Sequence, residues 1–129
     1  MDHEFPVRVY YEDTDMGGIV YYANYLKYIE RARSDWVRSI GIDQNAMRED
    51  DGVVFVVRRI EADYLQPAKF DDELIVRTAT KSVTGVRLIM TQEVYRGEVL
   101  LFQAEVTAVC VGEGGTPARL PAVIRRQVH

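Results

Sequence analysis

Two histidines are all the sequence of 129 residues holds, His3 and His129, each close to a chain end and expected there to fray. Without an internal imidazole, a Ser-His or Cys-His nucleophile system and a His-ligated metal centre both lack their central part. The single cysteine, Cys110, excludes an intrachain disulfide. It lies on the apolar side of an alternating segment with no basic neighbour, the pattern of a core thiol and not of a nucleophile. No apolar run is long enough to span a bilayer, so no membrane insertion is expected. Basic residues number 16 against 20 acidic ones, for a net charge of −4. No basic stripe stands out, which argues against nucleic acid as a partner. The start, "MDHEFPVRVYYED", lacks the basic and apolar parts of a secretory signal, so a cytoplasmic location is expected.

What is present fits one domain over 1–129 of the α+β class. "FPVRVYY" (5–11) alternates and reads as a strand beginning at an edge, because of Pro6. From Tyr22 the period changes: Tyr22, Tyr25, Leu26, Ile29, Ala32, Trp36, Val37 and Ile40 mark one face of a long helix that Gly41 stops. A short second helix with Asp43 as its N-cap fits 42–50. Four strands follow, over 53–65, 72–83, 86–95 and 99–111, and their short connections predict a meander. A short helix after Pro121 fits the tail. The expected packing lays the long helix against one face of a curling sheet of about five strands, whose long edges call for a second copy of the chain.

With histidine absent, acid–base or nucleophilic chemistry falls to a carboxylate, and "YYEDTDMGGIVYYANY" (10–25) concentrates three of them, Glu12, Asp13 and Asp15. If 7–15 run on as extended chain, Asp13 and Asp15 share one side. Asp15 stands nearest to Gly17 and Gly18, which permit close approach of a ligand to the backbone. The helix start beyond them, Tyr22 to Asn24, offers unpaired N–H groups at the positive end of the helix dipole. A carboxylate beside an N–H that polarises a carbonyl suits hydrolysis of an activated acyl group. The same letters also fit an ordinary Asx-turn leading into a core helix.

The segment "FPVRVYYEDTDMGGIVYYANYLKYIERARSDWVR", with "FVVRRIEADYLQPAKFDDELIVRT" and "AEVTAVCV", resembles the hotdog-fold 4-hydroxybenzoyl-CoA thioesterase family, and most closely its Tol-Pal-associated acyl-CoA thioesterases. The resemblance implies a hotdog fold, hydrolysis of acyl-CoA without metal or cofactor, and a tetramer built from two dimers. It implies Asp15 as the catalytic carboxylate, either nucleophile or general base, and the backbone N–H of Tyr22 as the carbonyl-polarising group. The Tol-Pal-associated subgroup has His where this chain has Tyr22, a departure that bears on acyl preference and not on the backbone contribution. Gly17, Gly18, Asn24 and Arg87 are the expected substrate-binding positions, with Asn24 and Tyr25 also fixing the helix start. Asp13 is expected to orient the loop through backbone N–H groups. The phosphates of coenzyme A would meet basic side chains drawn from Arg58, Arg59, Lys69, Lys81, Arg87, Arg119, Arg125 and Arg126.

Two other functions fit less of the sequence. A hotdog dehydratase acting on acyl carrier protein substrates would require an internal histidine. The other is a non-catalytic module that binds acyl-CoA or acyl carrier protein and is linked to lipid synthesis or the cell envelope, which release of thiol from a panel of acyl-CoAs separates from an enzyme.

Overall fold

The structure, a computed structural model, describes residues 2–127. Its elements run β1 (His3–Arg8), a 3-10 turn (Tyr11–Asp13), α1 (Asn24–Ser39), α2 (Gln44–Ala46) continuing as a π turn (Met47–Asp51), β2 (Val54–Tyr64), β3 (Glu73–Val83), β4 (Arg87–Arg96), β5 (Val99–Val111), β6 (Pro117–Ala118) and α3 (Ala122–Arg125). The strands form one antiparallel sheet in the order β1-β3-β4-β5-β2, with β6 added to β5. This is the α+β arrangement the sequence predicts; the four long strands agree within about one residue, whereas the first strand, expected over 5–11, is His3–Arg8.

Helix α1 covers one face of the sheet. Its buried side chains, among them Tyr25, Tyr28, Ile29, Ala32, Trp36 and Val37, join Val7, Leu74, Val76, Leu88, Met90, Val94, Phe102 and Val106 in a single core. Alternation along β5 puts Ala104, Val106, Ala108 and Cys110 inward and Gln103, Glu105 and Thr107 outward, as period-2 patterning requires. Gly41, at φ +93°, takes the left-handed conformation that ends α1. The Asp43 carboxylate accepts the Ala46 N–H at 3.1 Å and caps α2 as expected.

Several expectations need correction. The four long strands are not one meander: β3, β4 and β5 are consecutive neighbours, but β2 pairs with β5 at the far edge. The residues between β2 and β3, 65–72, are too many for a hairpin and are pinned elsewhere. Residues 7–15 are not continuously extended, because the 3-10 turn interrupts them and removes the simple alternation of Asp13 and Asp15. The long helix, expected from Tyr22, starts at Asn24; Tyr22 in the turn before it and Leu26 are exposed whereas Tyr28, outside the expected stripe, is buried, so the strip touching the sheet is rotated toward Tyr28. His3 is not frayed: it sits in β1 and its Nε2 lies 2.8 Å from the Asp35 carboxylate on α1. His129 falls outside the described residues.

Candidate active site

The "DTDMGGIV" segment folds back on itself as a tight hairpin. Thr14 and Val20 form an antiparallel bridge, the Asp15 N–H donates to the Ile19 carbonyl at 2.9 Å, and the Gly18 N–H donates to the Asp15 carbonyl at 3.0 Å. Gly18 sits at φ +77°, a conformation that disfavours any side chain. Gly17 is needed for a different reason. Its N–H donates to Asp15 Oδ1 at 2.8 Å, and a Cβ there would stand 3.1 Å from that same oxygen. Both glycines thus shape the turn, and Gly17 holds the carboxylate. Asp15 Oδ2 has no hydrogen-bond partner among the described residues, and the side chain is exposed.

Beyond the hairpin, the chain enters α1 without a side-chain cap: the N-cap residue is Ala23. The Tyr21 N–H donates to the Asp13 carbonyl at 2.9 Å and the Asn24 side-chain amide donates to that same carbonyl at 2.9 Å. Asp13 itself accepts the Tyr10 N–H at 2.8 Å through Oδ2, closing the 3-10 turn. These bonds do the structural work expected of Asp13 and Asn24. The Tyr22 N–H, in contrast, donates to no acceptor among the described residues, and so remains available at the positive end of the helix.

A second layer fixes this helix start from outside. The Tyr64 hydroxyl, at the end of β2, donates to the Tyr22 carbonyl at 2.9 Å. Tyr64 packs edge-on against both Tyr25 and Phe102, and Tyr25 stacks on Phe102 with ring centroids 5.0 Å apart. Pairs of this kind contribute about 0.5–1.5 kcal/mol beyond burial alone. The Tyr25 hydroxyl accepts the Ala68 N–H at 3.0 Å, and burial pushes its phenol above the ordinary range. The Ala68 carbonyl accepts the Val20 N–H at 2.9 Å and Lys69 bridges Ile19, so the 65–72 connection lies alongside the hairpin. Arg96 holds that connection through the Pro67 carbonyl and the Asp72 carboxylate, at 3.2 and 2.8 Å. Burial pushes the Asp72 carboxyl up, but the Lys69 N–H and the Arg96 guanidinium outweigh it and keep it below the usual range.

Ile19, Val20, Tyr22, Tyr25, Tyr64, Leu65, Gln66 and Pro67 line a mainly apolar cleft of about 300 Å³ at this place. A profile described as the thioesterase-like superfamily matches residues 9–128. The chain belongs to that superfamily. It is similar to the acyl-CoA thioesterase YbgC of Haemophilus influenzae, with 40% identity over 97% of this chain and 93% of that protein. It is similar too to the acyl-CoA thioester hydrolase YbgC of Escherichia coli O6:H1, with 45% identity over 83% of this chain and 80% of that protein. A probable thioesterase from Bartonella henselae superposes with a TM-score of 0.88 at 36% identity, over 94% of this chain and all of that one. The fold is the hotdog fold and the protein is an enzyme of the acyl-CoA thioesterase kind.

Of the residues marked in the sequence, Asp15, Gly17, Gly18, Tyr22 and Asn24 come together around the hairpin and the helix start. Arg87 does not join them within one chain. It pairs with Val109, which pairs with Val56, whereas the cleft is at Tyr64; eight residues of strand, about 26 Å, separate the two ends. Among the basic candidates, Lys69 is brought to the hairpin, and Arg59 and Lys81 are engaged by Glu61 and Glu105. Tyr64 and Ala68 were not singled out in the sequence. A lone aromatic closing a strand just before a proline-containing connection, "DYLQPA", is the signal that marks them.

Proposed function

We propose that the protein hydrolyses acyl-CoA thioesters at the 15–22 hairpin, with Asp15 as the reacting carboxylate and the Tyr22 N–H as the carbonyl-polarising donor. The observation that carries this reading is their complementary state: a carboxylate oxygen and a backbone N–H, joined by one short hairpin, both without a protein partner among the described residues. A carboxylate held by Gly17 through one oxygen keeps the other for chemistry. An N–H at a helix start costs little to reorganise as negative charge grows on the thioester oxygen.

In the overall reaction, water adds to the acyl carbon, the carbon–sulfur bond breaks, and the products are a carboxylate, the thiol of coenzyme A and a proton. Asp15 serves this in either of two ways. As a general base it takes the proton from attacking water; as a nucleophile it forms an acyl–aspartyl anhydride that water then opens. Single turnover in heavy-oxygen water identifies the anhydride route when water opens it at the aspartyl carbon, since the label then enters the Asp15 side chain, whereas general-base attack and opening at the acyl carbon both put it in the product acid. The reading as a whole is tested by Asp15→Asn, which keeps the shape and removes the charge. Turnover close to that of the unaltered protein on its best substrate would refute it.

A further inference from the structure

A second cavity, of about 190 Å³, opens between the middle of α1 and the start of β2, lined by Glu30, Arg33, Val37, Phe55, Val57 and Met90 among others. Among the described residues Arg33 is the one cation that lines it. Its Nη1 donates to Gln92 Oε1 at 3.0 Å, while the fully buried Gln92 amide donates to the Ile29 carbonyl and the Thr78 hydroxyl, both at 2.9 Å. This network fixes the guanidinium from behind. It does not neutralise it: no carboxylate lies within ion-pair distance of Arg33 among the described residues, whereas Arg8, Arg38, Arg59, Arg77 and Arg96 all have one. The nearest acidic side chain on the same helix, Glu30, accepts the Ser34 hydroxyl at 2.6 Å instead. Burial pulls the Arg33 guanidinium below its ordinary range, against the smaller opposing effect of the Glu30 charge. A half-buried cation held by a neutral amide on a cavity wall, with Glu30 on the same wall but bonded to Ser34 and not to it, can receive an anion.

The place of the cavity says which anion. Leu26, Glu30, Arg33 and Val37 follow one another at helical spacing along a single stripe of α1, and Tyr22 stands in the turn just before it. The stripe faces β2 at both ends, through the Tyr22–Tyr64 cleft and through the Arg33–Phe55 cavity. Nine residues at 1.5 Å each put Arg33 about 14 Å along the axis from Asn24, where the helix begins beside Tyr22. The exposed Leu26 supplies apolar surface between them. We propose that Arg33 is a specificity-determining residue that receives a carboxylate at the far end of the acyl chain, so that the enzyme favours ω-carboxyacyl thioesters over methyl-ended ones of equal length. This rests on the assignment of Asp15 and Tyr22 to the reacting end. The cavity is too small for a nucleotide, which favours a chain end over the phosphates of coenzyme A as the source of the negative charge.

The test uses matched pairs of acyl-CoAs of increasing length, one member ending in a methyl group and the other in a carboxylate. The expected result is a window of length in which kcat/KM for the carboxylate member exceeds that of its pair at least tenfold. That ratio should collapse in Arg33→Gln and recover in part in Arg33→Lys, with thermal melts confirming that both variants fold. No preference at any length in the unaltered protein, or an Arg33→Gln loss equal for both members, overturns the proposal. So does a loss that disappears when acyl-pantetheine replaces acyl-CoA, because the anion is then a coenzyme phosphate. Failure of the Asp15 assignment shows separately, as turnover surviving in Asp15→Asn. If no pair is hydrolysed at all, the Kd ratio of the pairs by calorimetry decides the role of Arg33 in the same way.

Discussion

The Tyr64 hydroxyl donates to the Tyr22 carbonyl at 2.9 Å, tying the last residue of β2 to the peptide that opens the long helix. The planar peptide unit held in this way carries the Ala23 N–H, and the Tyr22 N–H lies in the preceding unit across the Tyr22 Cα, so the bond restrains the amide proposed to meet the thioester through the Tyr22 backbone dihedrals. Tyr64→Phe keeps the ring against Tyr25 and Phe102 and removes only this bond. A hydrogen bond of this kind is worth about 0.5–1.5 kcal/mol. The expected outcome is a fall in kcat of up to about tenfold with an unchanged melting temperature to within a few degrees, read by thiol release and a thermal scan.

Asp15→Asn should lower kcat by about 10²–10⁴, the range associated with losing a positioned acid–base group, and leave the far-UV spectrum unaltered. Asp13→Asn weakens the acceptor for the Tyr10 N–H and should act mainly through stability. Steady-state kinetics beside urea unfolding of both variants distinguishes chemistry at position 15 from scaffolding at position 13.

Gly18→Ala places a side chain at φ +77° and should cost roughly 1–2 kcal/mol of stability. Gly17→Ala faces no such backbone conflict but crowds Asp15 Oδ1 at 3.1 Å. Its effect should therefore appear in kcat more than in the unfolding midpoint, the opposite balance from Gly18→Ala.

The Arg96–Asp72 pair makes a pH-dependent contribution with a definite sign. A carboxyl held below its ordinary range stabilises the fold above the unfolded value of about 3.9 and loses that contribution as pH falls through the folded value. In Arg96→Gln the difference in unfolding free energy between pH 7 and pH 3 should shrink, as measured by urea titration at the two pH values. At the alkaline end, burial pushes the Cys110 thiol up to about 11. The unfolded chain gives up that proton first, so stability should decline as pH rises from the ordinary thiol value toward 11, and the decline should lessen in Cys110→Ala.

Strand β2 forms an edge of the sheet, eleven residues long and largely exposed, with Val56, Val57 and Tyr64 uncovered. An edge of that length is normally paired or blocked. Light scattering at micromolar concentration should report a species at least twice the 14.8 kDa of one chain, and a proline at the exposed Val57 should shift it toward the monomer.

The sequence by itself determined which segments are helix and strand, because periods of 3.6 and 2 and the turn residues between them act over a few neighbours. The order Asp15, Gly17, Gly18, Tyr22 was legible for the same reason: a hairpin and a helix start are local objects, and family resemblance added their chemical roles. Only the tertiary structure decided that β2 leaves its sequence neighbour β3 and pairs with β5, that residues 65–72 run beside the hairpin, and that Tyr64 reaches the Tyr22 carbonyl. It likewise turned α1 so that Tyr28 is buried and Leu26 is not, and backed Arg33 with Gln92 in place of a carboxylate. These choices depend on which distant segments meet, and strand patterning fixes which face of a strand is buried without fixing which strand lies next to it.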